Sequence, residues 1–208
     1  MSSNASLWIA SVGLVLASKS ASRRLLLESA GIDVEVEAAA IDERRLEQEF
    51  LGRGGAPCDL APLLARAKAL DVSARRPQAL CLGADQTLLL EGELFHKTAD
   101  IDAAAQNLGK LAGRTHVLYS ALCVARGGAV LFETTQKALM TMRALDDKAI
   151  RRYLAAAGPA VLSSVGAYQV EGLGIHLFEA IEGDQSTILG LPLLPLLQWL
   201  RGRGCLAL

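Results

Sequence analysis

Apolar positions along this chain fall into short blocks whose spacing changes from one block to the next. Leu14 to Ala17 is a compact apolar run of strand length. The following "SRRLLLESA" has helix-forming composition, with Ser22 placed to cap it and Gly31 to stop it. "VEVEA" from Val34 alternates as a strand does. Between Arg44 and Pro57 the chain is polar and glycine-bearing, so a flexible segment or lid is expected there. Pro62 to Ser73 predicts a helix with Leu63, Leu64, Ala67 and Leu70 on its apolar face.

"ALCLGADQTLLLEGELF" then reads as a buried strand, a break at Gly83-Ala84-Asp85, and a hairpin turning at Glu91-Gly92. A helix is expected over Asp100 to Leu111, two strands over His116 to Ala125 and Val130 to Ala138, and a helix over Asp146 to Ala157. Short glycine-rich strands and a closing helix from Pro192 to Arg201 complete the pattern. Strands and helices mix without a strict βαβ rhythm. The pattern predicts one α/β domain on a mixed sheet, spanning 1–208 with a short leader over 1–12.

Composition narrows the classes. A chain of 208 residues with 51% hydrophobic and 21% charged residues can bury a sizeable core. With 21 bases against 22 acids, nothing in the net charge favours coating nucleic acid or an anionic membrane, so anion binding must come from a local cluster. Aromatic content of 4% leaves few platforms for stacking bases of a nucleic-acid strand. The apolar stretch before Ser18 has no base ahead of it and is too short to span a bilayer. Cys58, Cys81, Cys123 and Cys205 form no paired motif and read as reduced thiols in a cytoplasmic protein. His96, His116 and His176 lack ligand spacing.

Three segments carry candidate chemistry. In "LASKSASRR" an apolar strand runs into a loop of small residues and then a helix start, a place where backbone N–H groups and the dipole favour phosphate. Lys19, Arg23 and Arg24 add positive charge there, and no acid precedes Glu28. In "GADQ" an apolar strand delivers one acid, Asp85, which burial would require to meet a cation, a metal or water. Lys68 and Lys97 are the candidate cations for that region. In "GAYQVEGLGIHLFEAIEGDQSTILGLPL" glycines at 166, 172, 174, 183 and 190 permit close wrapping of a small ligand. Tyr168, Gln169 and Glu171 there offer stacking and hydrogen bonds to a base.

Taken in order, these segments resemble the Maf family of nucleoside triphosphate pyrophosphatases. The carriers are Leu16-Ala17-Ser18-Lys19-Ser20 with Arg23-Arg24, Ala84-Asp85-Gln86 with Lys97, Gly166-Ala167-Tyr168, Glu171-Gly172-Leu173-Gly174, Glu182-Gly183 and Gly190-Leu191-Pro192-Leu193. The resemblance implies a mixed twisted sheet with flanking helices and two lobes around an active-site cleft, as in inosine triphosphatase-like folds. It implies hydrolysis between the α and β phosphates with a divalent metal cation, Mg²⁺ or Mn²⁺. On matching positions, Asp85 is the proton acceptor for water and touches metal together with Glu43. Ser18, Arg23, Lys68 and Lys97 hold the phosphates, while Ser22, Gln86 and Glu171 select the base. "EGLGIHLFEAIEG" is closer to the branch acting on 7-methyl-GTP than to the dTTP/UTP branch, although the former usually carries a bulky aromatic where Ser22 stands. Glu171 suits a methylated guanine, since it accepts from N–H groups and counters the ring's positive charge. The resemblance also suggests a homodimer. From another class, a nucleotide-binding regulatory protein without turnover would have no need of a water-activating carboxylate such as Asp85.

Overall fold

The computed structural model describes residues 6–208. Its elements in chain order are β1 (Leu14–Leu16), α1 (Ala21–Ser29), β2 (Glu35–Val36), α2 (Glu43–Gly52), α3 (Leu60–Arg75), β3 (Leu80–Leu90), β4 (Glu93–Phe95), α4 (Ile101–Leu111), β5 (Thr115–Arg126), β6 (Ala129–Met142), α5 (Asp147–Ala157), β7 (Phe178–Glu182), α6 (Gln185–Ile188) and α7 (Leu193–Gly202). The seven strands follow the order β2-β1-β3-β5-β6-β7, with β4 paired to β3. Ladders β1–β2 and β1–β3 are parallel, whereas β3–β4 and β6–β7 are antiparallel. The chain is therefore α/β on a mixed sheet, as expected.

Two compact units are formed: Met1–Gln86 with Ser120–Gln136 and Gln185–Leu208, and Thr87–Tyr119 with Lys137–Asp184. In the first unit, alternation along β1 sends side chains to opposite faces. Leu14 and Leu16 join Leu27 of α1, Leu82 of β3, Leu122 of β5 and Leu196 and Leu200 of α7 in one cluster. Val15 and Ala17 face Val72 of α3 and Cys81. Residues 1–5 of the expected leader lie outside the described residues. From Trp8 onward it is packed: Trp8 bridges Leu206, and its ring lies against the first cluster. In the second unit, α4 buries Ala104, Leu108 and Leu111, and α5 buries Ile150 and Leu154.

Several local expectations change. Helix α1 is capped by Ser20, whose side chain accepts from the Arg23 N–H; Ser22 lies inside the helix, and Gly31 follows its end with φ 72°. The expected lid over Arg44 to Pro57 is mostly the ordered helix α2, capped by Asp42. It buries no residue, which is why hydrophobic spacing did not reveal it. In α3 the buried face is Ala61, Leu64, Ala65, Lys68, Ala69 and Val72, so of the four residues expected there only Leu64 is buried. No break occurs at Gly83: β3 runs unbroken through Asp85. Glycine is required at 83 because α3 crosses it backbone to backbone, and a Cβ would sit 2.1 Å from the Ala65 carbonyl oxygen. The glycine-rich tail holds one strand, β7, and is otherwise turns and short helices.

Candidate active site

The first unit gathers a buried charged cluster around β3. Its origin is the contact at Gly83, which lets α3 lie close enough for Lys68 to reach across the strand. Lys68 Nζ is 2.6 Å from Asp85 Oδ1 and 3.0 Å from Glu43 Oε2. Lys68 is 7% and Asp85 8% exposed, while the Glu43 side chain, on the first turn of α2, is about half exposed. Burial pushes the Asp85 carboxyl above the usual carboxylate range, outweighing the opposing pull of Lys68 and Arg23. A carboxylate in that setting is a stronger base than one in water.

Arg23 enters from the second face of the cluster. Although it sits in the first turn of α1, its guanidinium turns inward instead of meeting solvent at the helix start. Nε donates to the Gly190 carbonyl at 2.8 Å, and one amino group donates to the Ala84 carbonyl at 2.8 Å and Ser18 Oγ at 3.1 Å. Burial lowers its pKa, with Asp85 and Glu43 acting the other way. Ser18 also accepts from the Ser20 N–H at 3.2 Å, so the loop after β1 is tied to the guanidinium it surrounds. Arg24 takes no part; it pairs with Glu28 one turn along the exposed face of α1. Lys19 is exposed.

Gln86 follows Asp85 on β3. Its amide nitrogen donates to Ser120 Oγ at 2.8 Å and to the Thr187 and Ile188 carbonyls at 3.1 and 3.0 Å. Gly190, at φ 93°, lies beside both side chains. A Cβ there would be 3.4 Å from Arg23 Nε and 3.6 Å from Gln86 Oε1.

Of the residues named from sequence, the first unit therefore brings Ser18, Arg23, Glu43, Lys68 and Asp85 together, with Gln86 next to Asp85 on β3 and Ser22 half-buried on α1. Lys97 and Glu171 belong to the second unit, where both are exposed. Tyr168 is not an open stacking surface. Its ring is buried, edge-on to Phe178, and its hydroxyl is 2.7 Å from His116 Nε2. Asp85 lies within a strand rather than at its end. Ser120 and the carbonyls of Thr187, Ile188 and Gly190 were not found from sequence. Ser120 is an unremarkable strand residue, and a backbone carbonyl carries no residue signal.

The donor set suits a hard divalent cation shared with substrate. Asp85 and Glu43 direct carboxylate oxygens at one point, now met by Lys68. Among the described residues no three acids, histidines or cysteines gather. Two carboxylates completed by phosphate oxygens and water is a usual arrangement for Mg²⁺. The two cations and two acids of the cluster balance, so a bound triphosphate calls for additional positive charge.

A family model for Maf-like protein matches residues 13–203. The chain is 52% identical over 195 residues to a 7-methyl-GTP pyrophosphatase of Brucella abortus biovar 1 (strain 9-941), covering 94% of this chain and 98% of that protein. It is 53% identical over 193 residues to one of Mesorhizobium japonicum (strain LMG 29417 / CECT 9101 / MAFF 303099), covering 93% and 97%. A nucleoside triphosphate pyrophosphatase of Rhodopseudomonas palustris (strain BisB18) is 51% identical over 201 residues, covering 97% and 98%.

Proposed function

The chain belongs to the Maf family, and from that premise we propose that it is a nucleoside triphosphate pyrophosphatase acting on 7-methyl-GTP. The observation that carries this reading is the buried Lys68–Asp85 pair beside the inward-turned Arg23: a base held among cations, ready for an anionic substrate. In the proposed reaction a water oxygen attacks the α phosphorus, and Asp85 accepts the proton it gives up. The bond from the α phosphorus to the bridging oxygen breaks, and pyrophosphate departs with that oxygen.

Ser18, Arg23 and Lys68 are proposed to hold the phosphate chain, joined by Lys97. On arrival of phosphate, Lys68 exchanges part of its hold on Glu43 for a substrate oxygen. A Mg²⁺ or Mn²⁺ ion held by Asp85 and Glu43 would supply charge neutralisation across the phosphates. Ser22, Gln86 and Glu171 are proposed to choose the base, with Glu171 accepting from guanine N–H groups. The four cysteines are unpaired, in keeping with the proposed cytoplasmic setting; no described helix is long and apolar enough to cross a membrane. A homodimer is proposed from family resemblance.

The test is pyrophosphate release across 7-methyl-GTP, GTP, dTTP, UTP, CTP and ATP with Mg²⁺ or Mn²⁺. The reading predicts the highest kcat/KM for 7-methyl-GTP. A higher value for dTTP or UTP reassigns the substrate, and failure to turn over any nucleotide rejects the activity.

A further inference from the structure

The direction of the Gln86 amide is fixed by its partners. Its nitrogen faces the Thr187 and Ile188 carbonyls, which only accept, so the NH₂ end and not the oxygen must lie there. Ser120 adds a third constraint. Its hydroxyl donates to the Thr187 carbonyl at 2.7 Å, which turns its lone pairs toward Gln86 and makes it an acceptor for the same NH₂ group. Ser120 is fully buried, so no water can take over that bond. Both amide hydrogens are thereby committed within the protein, and Oε1 is left on the side of Gly190, where a Cβ would stand 3.6 Å from it and 3.5 Å from Arg23 Nη2.

We propose that Ser120 is a positioning residue for base selection: by holding the NH₂ end of Gln86 against the protein, it leaves the amide oxygen for the base and makes this position a pure hydrogen-bond acceptor. Such a site takes a base that offers a ring N–H, as guanine and hypoxanthine do at N1, and rejects one that offers a bare ring nitrogen there, as adenine does. A rejected base leaves two acceptors facing each other with their water removed, which is costly. The inference rests on the proposed pyrophosphatase reading and on Gln86 meeting the base. It adds the reason for the acceptor polarity and the residue that enforces it.

The experiment compares kcat/KM for ITP and ATP, which differ at that edge of the purine, in wild type, Ser120→Ala and Ser120→Thr. In Ser120→Ala the ITP-to-ATP ratio should fall about fivefold, the worth of one net hydrogen bond. Ser120→Thr, which keeps the hydroxyl, should restore it. An active Ser120→Ala enzyme with an unchanged ratio, or with both substrates slowed equally, overturns the positioning role while leaving the pyrophosphatase reading intact. A wild type that turns over no nucleotide overturns both. Hydrogen exchange of the wild-type Gln86 side-chain amide, read by NMR, provides an activity-free measure. Slower exchange than the exposed Gln106 side-chain amide supports the hold, and equal exchange refutes it.

Discussion

The chain buries two polar pairs of opposite character. In the first unit Lys68 and Asp85 are both charged residues, and Glu43 carries their network out to solvent. In the second unit His116 and Tyr168 share a bond at 2.7 Å but are closed in by Phe178, and burial pushes the His116 pKa down to about 4. Burial likewise raises the Tyr168 hydroxyl pKa. Burial thus disfavours the charged form at both places. What separates them is connection: Asp85 sits among cations with a route to solvent, whereas His116 is a neutral ring in an aromatic core. A displaced pKa marks a site only when chemistry can reach it.

This contrast predicts different costs. Asp85→Asn should lower pyrophosphate release on the order of a thousandfold, the range for losing a general base. Nucleotide binding by calorimetry should survive, and near wild-type turnover would remove Asp85 from its assigned role. Gly83→Ala should cost on the order of 3 kcal/mol in chemical denaturation, because the new Cβ meets backbone rather than a side chain that could yield. It should also separate Lys68 from Asp85, so an unchanged Tm with full activity would show that the close crossing is not needed.

The second pair should instead show itself in acid. As pH falls from about 6.5 toward 4, the unfolded chain binds a proton at His116 that the folded form refuses. Stability should drain through that window by about 3 kcal/mol. His116→Gln should flatten this slope while leaving neutral-pH turnover unchanged; an identical acid slope in the variant would assign the loss to other groups. Tyr168→Phe is expected to cost least, roughly 1–2 kcal/mol, since it strands the buried His116 Nε2. A shift in substrate ranking in that variant would return Tyr168 to base recognition.

The same division governs what the sequence disclosed. Helices α4 and α5 and strand β5 lie within a residue of their expected bounds, whereas β6 runs four residues past Ala138 to Met142, its buried positions falling at that far end. Helix α2 did not show itself, because it buries nothing and glycines 52, 54 and 55 crowd its end; its signal was the Asp42 cap followed by good helix formers. Gly83 looks like a break in one dimension and proves to be a contact point in three. The face of α3 was misplaced because leucines draw attention. It is the alanines that let the helix approach β3 and bring Lys68 to Asp85. Asp85, Lys68 and Arg23 were legible as charges out of place, but Ser120 and the carbonyls of Thr187, Ile188 and Gly190 act through the fold alone.

The central claim, that Asp85 serves a water attacking the α phosphorus, is tested most directly by running the reaction on 7-methyl-GTP in ¹⁸O-labelled water and weighing the products. The account predicts a single ¹⁸O in the nucleoside monophosphate and none in the pyrophosphate. Label in the pyrophosphate, or release of orthophosphate and a nucleoside diphosphate, would contradict it.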